Sequence, residues 1–409
     1  MTDFIRSRFF ARWVLLILWA VAVWCGTSFP SAVSAASAYT PETAMVRLDR
    51  ADYPDFSDGL LLDNLVHGID QSLVYLSKLP ETRVFQFGPD SYTCRHLVES
   101  LVRLRNVVQT RPDPAALTRF ITDHYRVYRS VGGPGGGMLF TGYYEPHLHG
   151  SLVPDGRYRY PVYSLPSDLV ISTNKYTGKK TVGRIQGRRM VSYPDRKTIE
   201  ADSGFYRKAR PLAWVDNKVD LFFLHIQGSG RVYLSNGTFI RVHYDGTNGQ
   251  PYRSIGKLLM DRGKILAEDM SMQAIKTYLA QHPEEVDAIL NSNPSYVFFK
   301  IEASGPTGAI EVDLTPGRSV AVDRRVFPMA APVFFQTRIP VIDGKGEIRR
   351  WMDFSAFALN QDTGGAIRGP GRVDIFWGNG PYAQIAAGHL KEPGAFFLLV
   401  LDPARMKPR

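Results

Sequence analysis

Between residues 57 and 128, apolar residues recur every three or four positions, which is the period of an amphipathic helix. The first run covers residues 57–79 and ends at Pro80, where proline removes a backbone donor. The same spacing predicts helices over residues 91–108 and 115–128. The glycine-rich stretch 132–137 then separates this helical region from the remainder of the chain.

From Met138 onward the pattern changes to short runs rich in aromatic and β-branched residues, punctuated by Gly, Asn and Pro, which predict strands. Two helices are expected among them, over residues 252–260 and 269–279. The strands are expected at residues 139–144, 158–163, 219–226, 231–234, 239–244, 296–299, 319–322, 333–336, 339–342, 373–377 and 395–401. Short strands joined by long loops favour a barrel over a doubly wound sheet. The predicted fold is therefore mainly β with appended helices.

The N-terminus has the order of a secretory signal peptide. Three arginines at positions 6, 8 and 12 lead into a short apolar run from Trp13 to Trp24, and small residues come after it. The run is shorter than the roughly 20 residues of a membrane span. We expect residues 1–35 to be removed and the chain to be exported to the periplasm. An uncleaved anchor is the alternative. A lipid anchor at Cys25 is not expected, because Trp24 stands where a lipobox carries a small residue.

Composition adds further limits. With 409 residues, 44% of them hydrophobic and 22% charged, the chain suits two globular domains. The net charge of +10 favours anionic partners, including polyanionic polymers of the cell envelope. No run of Lys or Arg exceeds two residues, so nucleic-acid binding is not predicted. One cysteine remains after residue 35, and no His pair has metal-ligand spacing, so neither a disulfide nor a structural zinc site is expected.

The strongest candidate for chemistry is Asp374. It lies in the apolar run Val373-Asp-Ile-Phe-Trp377, where partial burial raises the pKa of a carboxyl group and suits it to act as a general acid. The alternative is a solvent-facing residue of an edge strand. Asp362, in Gln361-Asp-Thr-Gly-Gly365, fits a turn better than catalysis. Its Asp-Thr-Gly triplet is weak evidence for an aspartic protease, because no apolar strand precedes it.

Two further segments suit a sugar ligand. Gln227-Gly-Ser-Gly230 comes after an apolar run and would present backbone amides beside Gln227 and Ser229. A plain turn is equally compatible with this segment. Tyr143, Tyr144 and Trp377 are able to stack on sugar rings, although single aromatic residues are more often part of a core.

Seven ordered segments, taken together, resemble one family. Among them are Phe140-Thr-Gly-Tyr-Tyr-Glu-Pro146, His225-Ile-Gln-Gly-Ser-Gly-Arg231 and Asp362-Thr-Gly-Gly-Ala-Ile-Arg-Gly369. The others cover residues 160–163, 249–256, 268–275 and 293–300. The chain resembles the membrane-bound lytic murein transglycosylase A family from about residue 138 to residue 380.

The resemblance implies a double-psi β-barrel with an inserted second β-domain and a groove for a glycan strand between them. It places the barrel domain at residues 36–137 and 251–409, the insert at 138–250, and a three-aspartate segment at about 310–380. The three aspartates match Asp323, Asp362 and Asp374, and the catalytic acid matches Asp374. Around Asp323 this chain departs from the family pattern, with Phe327-Pro-Met-Ala where the family usually has Ile-Pro-x-Gly.

The implied activity is cleavage of the β-1,4 bond between N-acetylmuramic acid and N-acetylglucosamine in peptidoglycan, with formation of a 1,6-anhydro ring and without any cofactor or metal. Glycan strands are the implied partner, and the expected substrate-binding residues are Tyr143, Tyr144, Glu145, Gln227, Ser229, Arg253 and Trp377. Contacts with cell-wall synthesis enzymes and the oligomeric state stay open. The alternatives are a non-catalytic glycan-binding scaffold and a hydrolase with two carboxylates, in which Glu145 would be the second acid.

Overall fold

The computed structural model describes residues 39–175 and 180–406. The predicted signal peptide, residues 1–35, lies outside the described residues. Within the described ranges, no helix combines the length and apolar character needed to cross a membrane.

The helices are short and are distributed along the whole described chain. They are α1 Leu65–Leu76, α2 Cys94–Gln109, α3 Pro114–His124, α4 Arg196–Ala201, α5 Lys218–Gln227, α6 Ile255–Asp261, α7 Met272–Gln281, α8 Val286–Leu290 and α9 Pro381–His389.

Strands make up the larger share of the regular structure. They are β1 Met45–Arg47, β2 Val84–Phe87, β3 Asp90–Thr93, β4 Tyr125–Ser130, β5 Met138–Glu145, β6 His147–Ser151, β7 Tyr160–Tyr163, β8 Val170–Thr173, β9 Lys180–Gln186, β10 Arg189–Ser192, β11 Pro211–Val215, β12 Ser229–Leu234, β13 Phe239–Thr247, β14 Val297–Ile301, β15 Ser319–Ala321, β16 Pro332–Ile342, β17 Ile348–Asp362, β18 Arg372–Asn379 and β19 Lys391–Leu401.

Six strands close into a barrel. The sheet runs in the order β19-β16-β17-β15-β18-β5, and β5 pairs again with β19 from Met138 opposite Gly394 to Thr141 opposite Lys391. Closure removes the free sheet edges. The pairs β15–β17 and β18–β5 are parallel, and the other pairs of the ring are antiparallel. The barrel and the mainly β fold confirm the predicted fold class.

The N-terminal helices cover one side of this barrel. Helices α1 and α2 pack on each other, α1 contacts β17, and α2 contacts β19. Residues 332–335 of β16 are buried one after another, because one face of the strand fills the barrel and the other lies beneath covering elements. The single cysteine of this region, Cys94, is buried and free.

A second sheet of six strands has the order β14-β13-β12-β6-β11-β7, and its end strands β7 and β14 also contact each other. It draws on residues 147–301, with α6, α7 and α8 between its last two strands. A separate three-stranded sheet, β8-β9-β10, arises within the same part of the chain.

Several local predictions were wrong. The helix predicted over residues 115–128 ends at His124, and residues 125–130 form strand β4. Residues 219–226 form helix α5 instead of a strand, because the Asn217 side chain caps the amides of Val219 and Asp220 and Gly228 ends the helix at φ 79°. The two strands predicted at 333–336 and 339–342 are one strand, β16. Asp362, which was predicted to lie in a turn, is the last residue of the long strand β17.

Candidate active site

Barrel register brings the two candidate carboxylates to either side of one short strand. Ala321 of β15 pairs with Asp362 of β17 in parallel register and with Asp374 of β18 in antiparallel register. On the other side of β18, Asp374 pairs with Thr141 of β5. Residues directly opposite in neighbouring strands share a face of the sheet. The fold therefore gathers Asp362, Asp374 and Thr141 in one region of the barrel.

Asp374 is held by two partners that sequence reasoning missed. The Thr141 hydroxyl donates a hydrogen bond to Asp374 Oδ1, and Arg372 Nη2 lies 3.5 Å from the same oxygen. Arg372 Nη2 also donates to the Thr141 hydroxyl at 3.0 Å. Two signals pointed to these residues: Arg372 shares a strand face with Asp374 two positions later, and Thr141 belongs to the Phe140-Thr-Gly-Tyr-Tyr segment.

The Asp374 carboxyl group is mostly buried but still reachable. Its side chain keeps 20% of its surface exposed. Burial raises the pKa of Asp374 above its ordinary value, while the hydrogen bond from Thr141 and the charge of Arg372 act in the opposite direction. A raised pKa with an opposing cation suits a group that both gives and takes a proton.

Asp362 is fixed by three donors. It accepts hydrogen bonds from the Tyr143 hydroxyl at 2.9 Å, the Thr363 amide at 2.8 Å and the Ala309 amide at 3.0 Å. Burial raises the pKa of Asp362 to about 6, the donors oppose this, and the nearby charge of Asp374 adds to it. Burial and both carboxylates raise the pKa of Tyr143 well above its ordinary value, so its hydroxyl stays a donor. Asp362 thus braces β17, the 309 segment and Tyr143.

Asp323 supports the loop between β17 and β18. Its carboxylate accepts from Arg325 at 2.6 and 2.9 Å and from the Gly369 amide at 2.7 Å. Burial would raise the pKa of Asp323, but the hydrogen bonds from Arg325 and the amides outweigh it and the pKa is lowered. Because these hydrogen bonds lower its pKa, Asp323 stays ionised, and at 1% exposed it is out of contact with solvent.

Glu145 does not lie where a ligand could reach it. Its side chain is fully buried, with Arg231 Nε 2.7 Å from one carboxylate oxygen and Arg241 Nε 2.9 Å from the other. Asn379 also donates to it at 3.3 Å. The structure gives Glu145 a structural role between β5 and the second sheet, in place of the predicted substrate contact.

Two of the predicted stacking residues lie in packed surroundings. Tyr144 is 3% exposed, and its hydroxyl lies 3.9 Å from the Met272 sulfur. The Trp377 ring packs against Tyr382 and so close to Gly142 that a Cβ at that glycine would lie 2.7 Å from Nε1. Both rings therefore act in packing. Tyr143 is the exception, because its hydroxyl reaches the acid site and its ring lies 5.2 Å from that of Phe376.

Three predicted binding residues remain, and they differ in exposure to solvent. The Gln227 side chain accepts from the Tyr144 amide at 3.0 Å and so holds β5 from the end of α5. Ser229 is buried at the start of β12. Arg253 is exposed, and its amide donates to Asn293 Oδ1 at 3.0 Å. Of these three, Arg253 alone presents a charged side chain to solvent.

Within the described ranges, one group of three side chains is close enough to share a metal ion: His282, Glu284 and Glu285. Lys264 and Tyr278 already bind the carboxylate of Glu285. Neither acid of the barrel belongs to this group.

Two family models match this chain, one over the second sheet and one over the barrel. Residues 139–300 match the MltA specific insert domain, and residues 318–400 match the 3D domain. The membrane-bound lytic murein transglycosylase A of Vibrio cholerae is 33% identical over 295 residues, 71% of this chain and 72% of that protein. The chain belongs to the membrane-bound lytic murein transglycosylase A family. The family member from Escherichia coli K12 is 34% identical over 271 residues, 66% of this chain and 67% of that protein.

Solved structures of lytic murein transglycosylases share the fold. The one from Agrobacterium tumefaciens has a TM-score of 0.70 at 31% identity, covering 88% of this chain and 98% of that chain. MltA from Neisseria gonorrhoeae has a TM-score of 0.66 at 26% identity, covering 91% and 97%. E. coli MltA with bound chitohexaose has a TM-score of 0.65 at 25% identity, covering 89% and 96%. The predicted family membership is confirmed.

Proposed function

We propose that this chain is a lytic transglycosylase that cleaves the β-1,4 bond between N-acetylmuramic acid and N-acetylglucosamine and leaves a 1,6-anhydro ring. The observation that carries the proposal is the state of Asp374, a partly exposed carboxyl group with a raised pKa beside one cation. The names of the relatives support murein as the substrate, and the oligosaccharide bound to E. coli MltA supports a glycan ligand.

In the first step, protonated Asp374 donates its proton to the glycosidic oxygen as the bond from C1 to that oxygen breaks. The departing sugar leaves with a hydroxyl group. Asp374 becomes a carboxylate, which Arg372 and the Thr141 hydroxyl stabilise.

In the second step, the C6 hydroxyl of the muramic acid residue attacks C1 within the same ring. The Asp374 carboxylate takes the proton of that hydroxyl, and the acid is restored for the next cycle. No water is consumed. An attacking group already attached to the reacting sugar has a large entropic advantage over a water molecule.

A single catalytic carboxylate is supported by how the other acids are occupied. Asp362 is engaged by Tyr143 and two backbone amides. Glu145 is buried between two arginines, and Asp323 is bound to Arg325. An ordinary glycosidase needs a second carboxyl group that faces the substrate. Glu145, the predicted second acid of a hydrolase, is poorly placed for this.

We also propose that the barrel and the six-stranded sheet are two domains that hold a glycan strand between them. The inserted domain would run from residue 147 to residue 301 instead of over residues 138–250, because β5 belongs to the barrel and β14 pairs with β13. A location in the cell envelope, reached through the predicted export signal, fits the membrane-bound relatives. Palmitate incorporated into the protein in cells would contradict the expected absence of a lipid anchor.

The test is mass spectrometry of the fragments that the purified protein releases from peptidoglycan, with Asp374→Asn in parallel. We expect 1,6-anhydro products from the unchanged protein and at least a thousandfold less from Asp374→Asn, in the range of losses of catalytic groups. Glu145→Gln serves to test the two-carboxylate alternative.

Reducing ends formed by water would overturn the transglycosylase proposal in favour of a hydrolase. Glycan binding without any product from either form would favour a non-catalytic scaffold. Full activity of Asp374→Asn would show that another residue is the acid.

A further inference from the structure

The three-stranded sheet β8-β9-β10 is strongly basic, and we refer to its described residues, 170–175 and 180–192, as the basic sheet. Residues 169–194 contain no Asp or Glu. They contain Lys175, Lys179, Lys180, Arg184, Arg188 and Arg189. A segment with one sign of charge and no internal counter-charge favours a polyanionic ligand.

The pairing register gathers three of these cations on one face. Along β9, Lys180 and Arg184 lie on the same side, since side chains alternate with a period of two. Gln186 shares that side and pairs with Arg189 of β10. None of the ion pairs formed among the described residues involves these three cations. Ile171 and Val182, which pair with each other, add apolar surface to the same face.

This face adjoins the loop of residues 248–254. The Asn248 side chain donates to the Pro194 carbonyl at 2.9 Å, and the Gln250 side chain donates to the Tyr193 carbonyl at 2.7 Å, just after β10. A Cβ placed on Gly249 would lie 2.6 Å from Val182 Cβ, so the loop backbone rests directly on the cationic face. The basic sheet and the loop therefore form one continuous surface.

The same loop reaches toward the acid site. Burial raises the pKa of Tyr252 within this loop, and the charge of Arg372, the cation beside Asp374, opposes the rise. The neighbouring Arg253 is exposed. The loop therefore lies within electrostatic reach of Arg372 and in contact with the basic sheet.

We propose that the basic sheet binds the carboxylates of the peptide side chains carried by a peptidoglycan strand whose glycosidic bond lies at Asp374. The proposal rests on the proposed function. A glycan backbone alone is nearly uncharged, whereas its peptide side chains end in free carboxylates, and guanidinium and ammonium groups pair with these. The peptide side chains of the polymer proposed as substrate therefore supply the anionic groups that this surface fits.

The test measures binding, so that it does not depend on turnover. The full chain carrying Asp374→Asn is sedimented with intact peptidoglycan, and its affinity for a soluble, uncharged chitin oligosaccharide is measured by calorimetry. A triple variant, Lys180→Gln with Arg184→Gln and Arg189→Gln, is compared with a control triple that removes the same charge from exposed positions elsewhere, Lys78→Gln with Lys345→Gln and Arg350→Gln.

We expect the dissociation constant for intact peptidoglycan to rise about tenfold in the sheet variant, as three modest exposed ion pairs together imply. The ratio of the affinity for intact peptidoglycan to the affinity for the uncharged oligosaccharide should fall by the same factor. The control triple should leave this ratio unchanged. A charge-preserving triple, Lys180→Arg with Arg184→Lys and Arg189→Lys, should restore it.

Equal binding by the sheet variant and the control would overturn the proposal. Equal losses on peptidoglycan and on the uncharged oligosaccharide would also overturn it, because the sheet would then bind sugar. The same variants are also tested with vesicles containing anionic phospholipid. If the sheet variant lost affinity for these vesicles and not for peptidoglycan, the surface would bind a membrane instead. Failure of the proposed function is distinguishable, since it appears as missing anhydro products and leaves this binding ratio in place.

Discussion

At the acid site, one guanidinium group opposes the effect of burial on Asp374. Arg372 lies 3.5 Å from the carboxylate and is itself one-third exposed, while burial is the larger influence and keeps the pKa raised. The pairing of Asp374 with Arg372 therefore suits both steps of the proposed reaction. Proton donation requires a protonated acid, whereas the following step requires a carboxylate that persists until the C6 hydroxyl attacks.

This balance predicts a shift of the pH profile in Arg372→Gln. If protonated Asp374 is required, kcat/KM falls as the pH rises through its pKa. Removing the cation destabilises the carboxylate and raises that pKa, so the falling limb should move to higher pH. The measurement is kcat/KM against pH on purified peptidoglycan. Arg372→Lys, which keeps the charge, should move the limb much less.

A limb that stays in place or moves to lower pH would contradict this electrostatic role. Arg372 would then act only by positioning Thr141, to which it donates at 3.0 Å. Thr141→Val removes the hydroxyl while keeping the shape and leaves the charge of Arg372 in place. It therefore tests the positioning role separately from the electrostatic role.

Sequence reasoning identified Asp374 as the strongest candidate acid because a carboxylate among apolar residues is unusual. It did not separate the residues that contact a ligand from those that support the site. Tyr143, Tyr144 and Glu145 are consecutive, yet one reaches Asp362, one is in a core and one binds two arginines. Neighbouring side chains point to opposite faces of β5, so they contact different sheets. Which sheet each side chain contacts depends on tertiary pairing, which one sequence does not reveal.

At the scale of elements, the long apolar periods were predictable and the buried runs were not. Helices α1, α2 and α3 show clear three-and-four spacing, because one face is exposed. Helix α5 is buried over residues 221–225 without interruption, so its sequence does not distinguish a helix from a strand. Its caps at Asn217 and Gly228 were the signal that could have decided it.

The contact between α9 and β5 predicts the effect of one methyl group. A Cβ on Gly142 would lie 2.9 Å from the Ala387 Cα of α9 and 2.7 Å from Trp377 Nε1. Because one of these is backbone, Gly142→Ala must displace the helix or the strand. We expect the free energy of unfolding to fall by about 1–3 kcal/mol. Urea unfolding followed by circular dichroism measures it.

Gly365→Ala is the matched control for this substitution. Gly365 lies in the loop before β18, and no atom would be within 4 Å of its added Cβ. Equal stability of Gly142→Ala and Gly365→Ala would mean that α9 adjusts freely. The strand that carries Thr141 would then be less firmly supported than the packing indicates.

At the scale of the whole molecule, one buried ion pair joins the N-terminal segment to the barrel. Arg318 is fully buried, and its two terminal nitrogens lie 2.6 and 2.9 Å from the carboxylate oxygens of Asp58. It also donates to the carbonyls of Asp63 and Phe357. Asp58 in turn accepts from the amides of Leu60, Leu62 and Phe357. The pair is thus hydrogen-bonded on all sides, 260 positions apart in sequence.

Asp58→Ala should therefore be far more damaging than an ordinary surface substitution. It leaves the Arg318 guanidinium buried without its counter-charge, and we expect the free energy of unfolding to fall by about 3–5 kcal/mol. Asp63→Ala is the control, because Asp63 pairs with Arg111 at exposed positions, where a pair contributes about 1 kcal/mol or less. Urea unfolding of both variants decides the comparison.

The double variant Asp58→Leu with Arg318→Met tests why the loss occurs. If the cost of Asp58→Ala comes from an uncompensated buried charge, removing the arginine as well should recover much of the stability. If the double variant is as unstable as Asp58→Ala, the hydrogen bonds from Arg318 to Asp63 and Phe357 hold the N-terminal segment in place. Strand β15 follows Arg318 and lies between Asp362 and Asp374. Its position would then depend on hydrogen bonding more than on charge pairing.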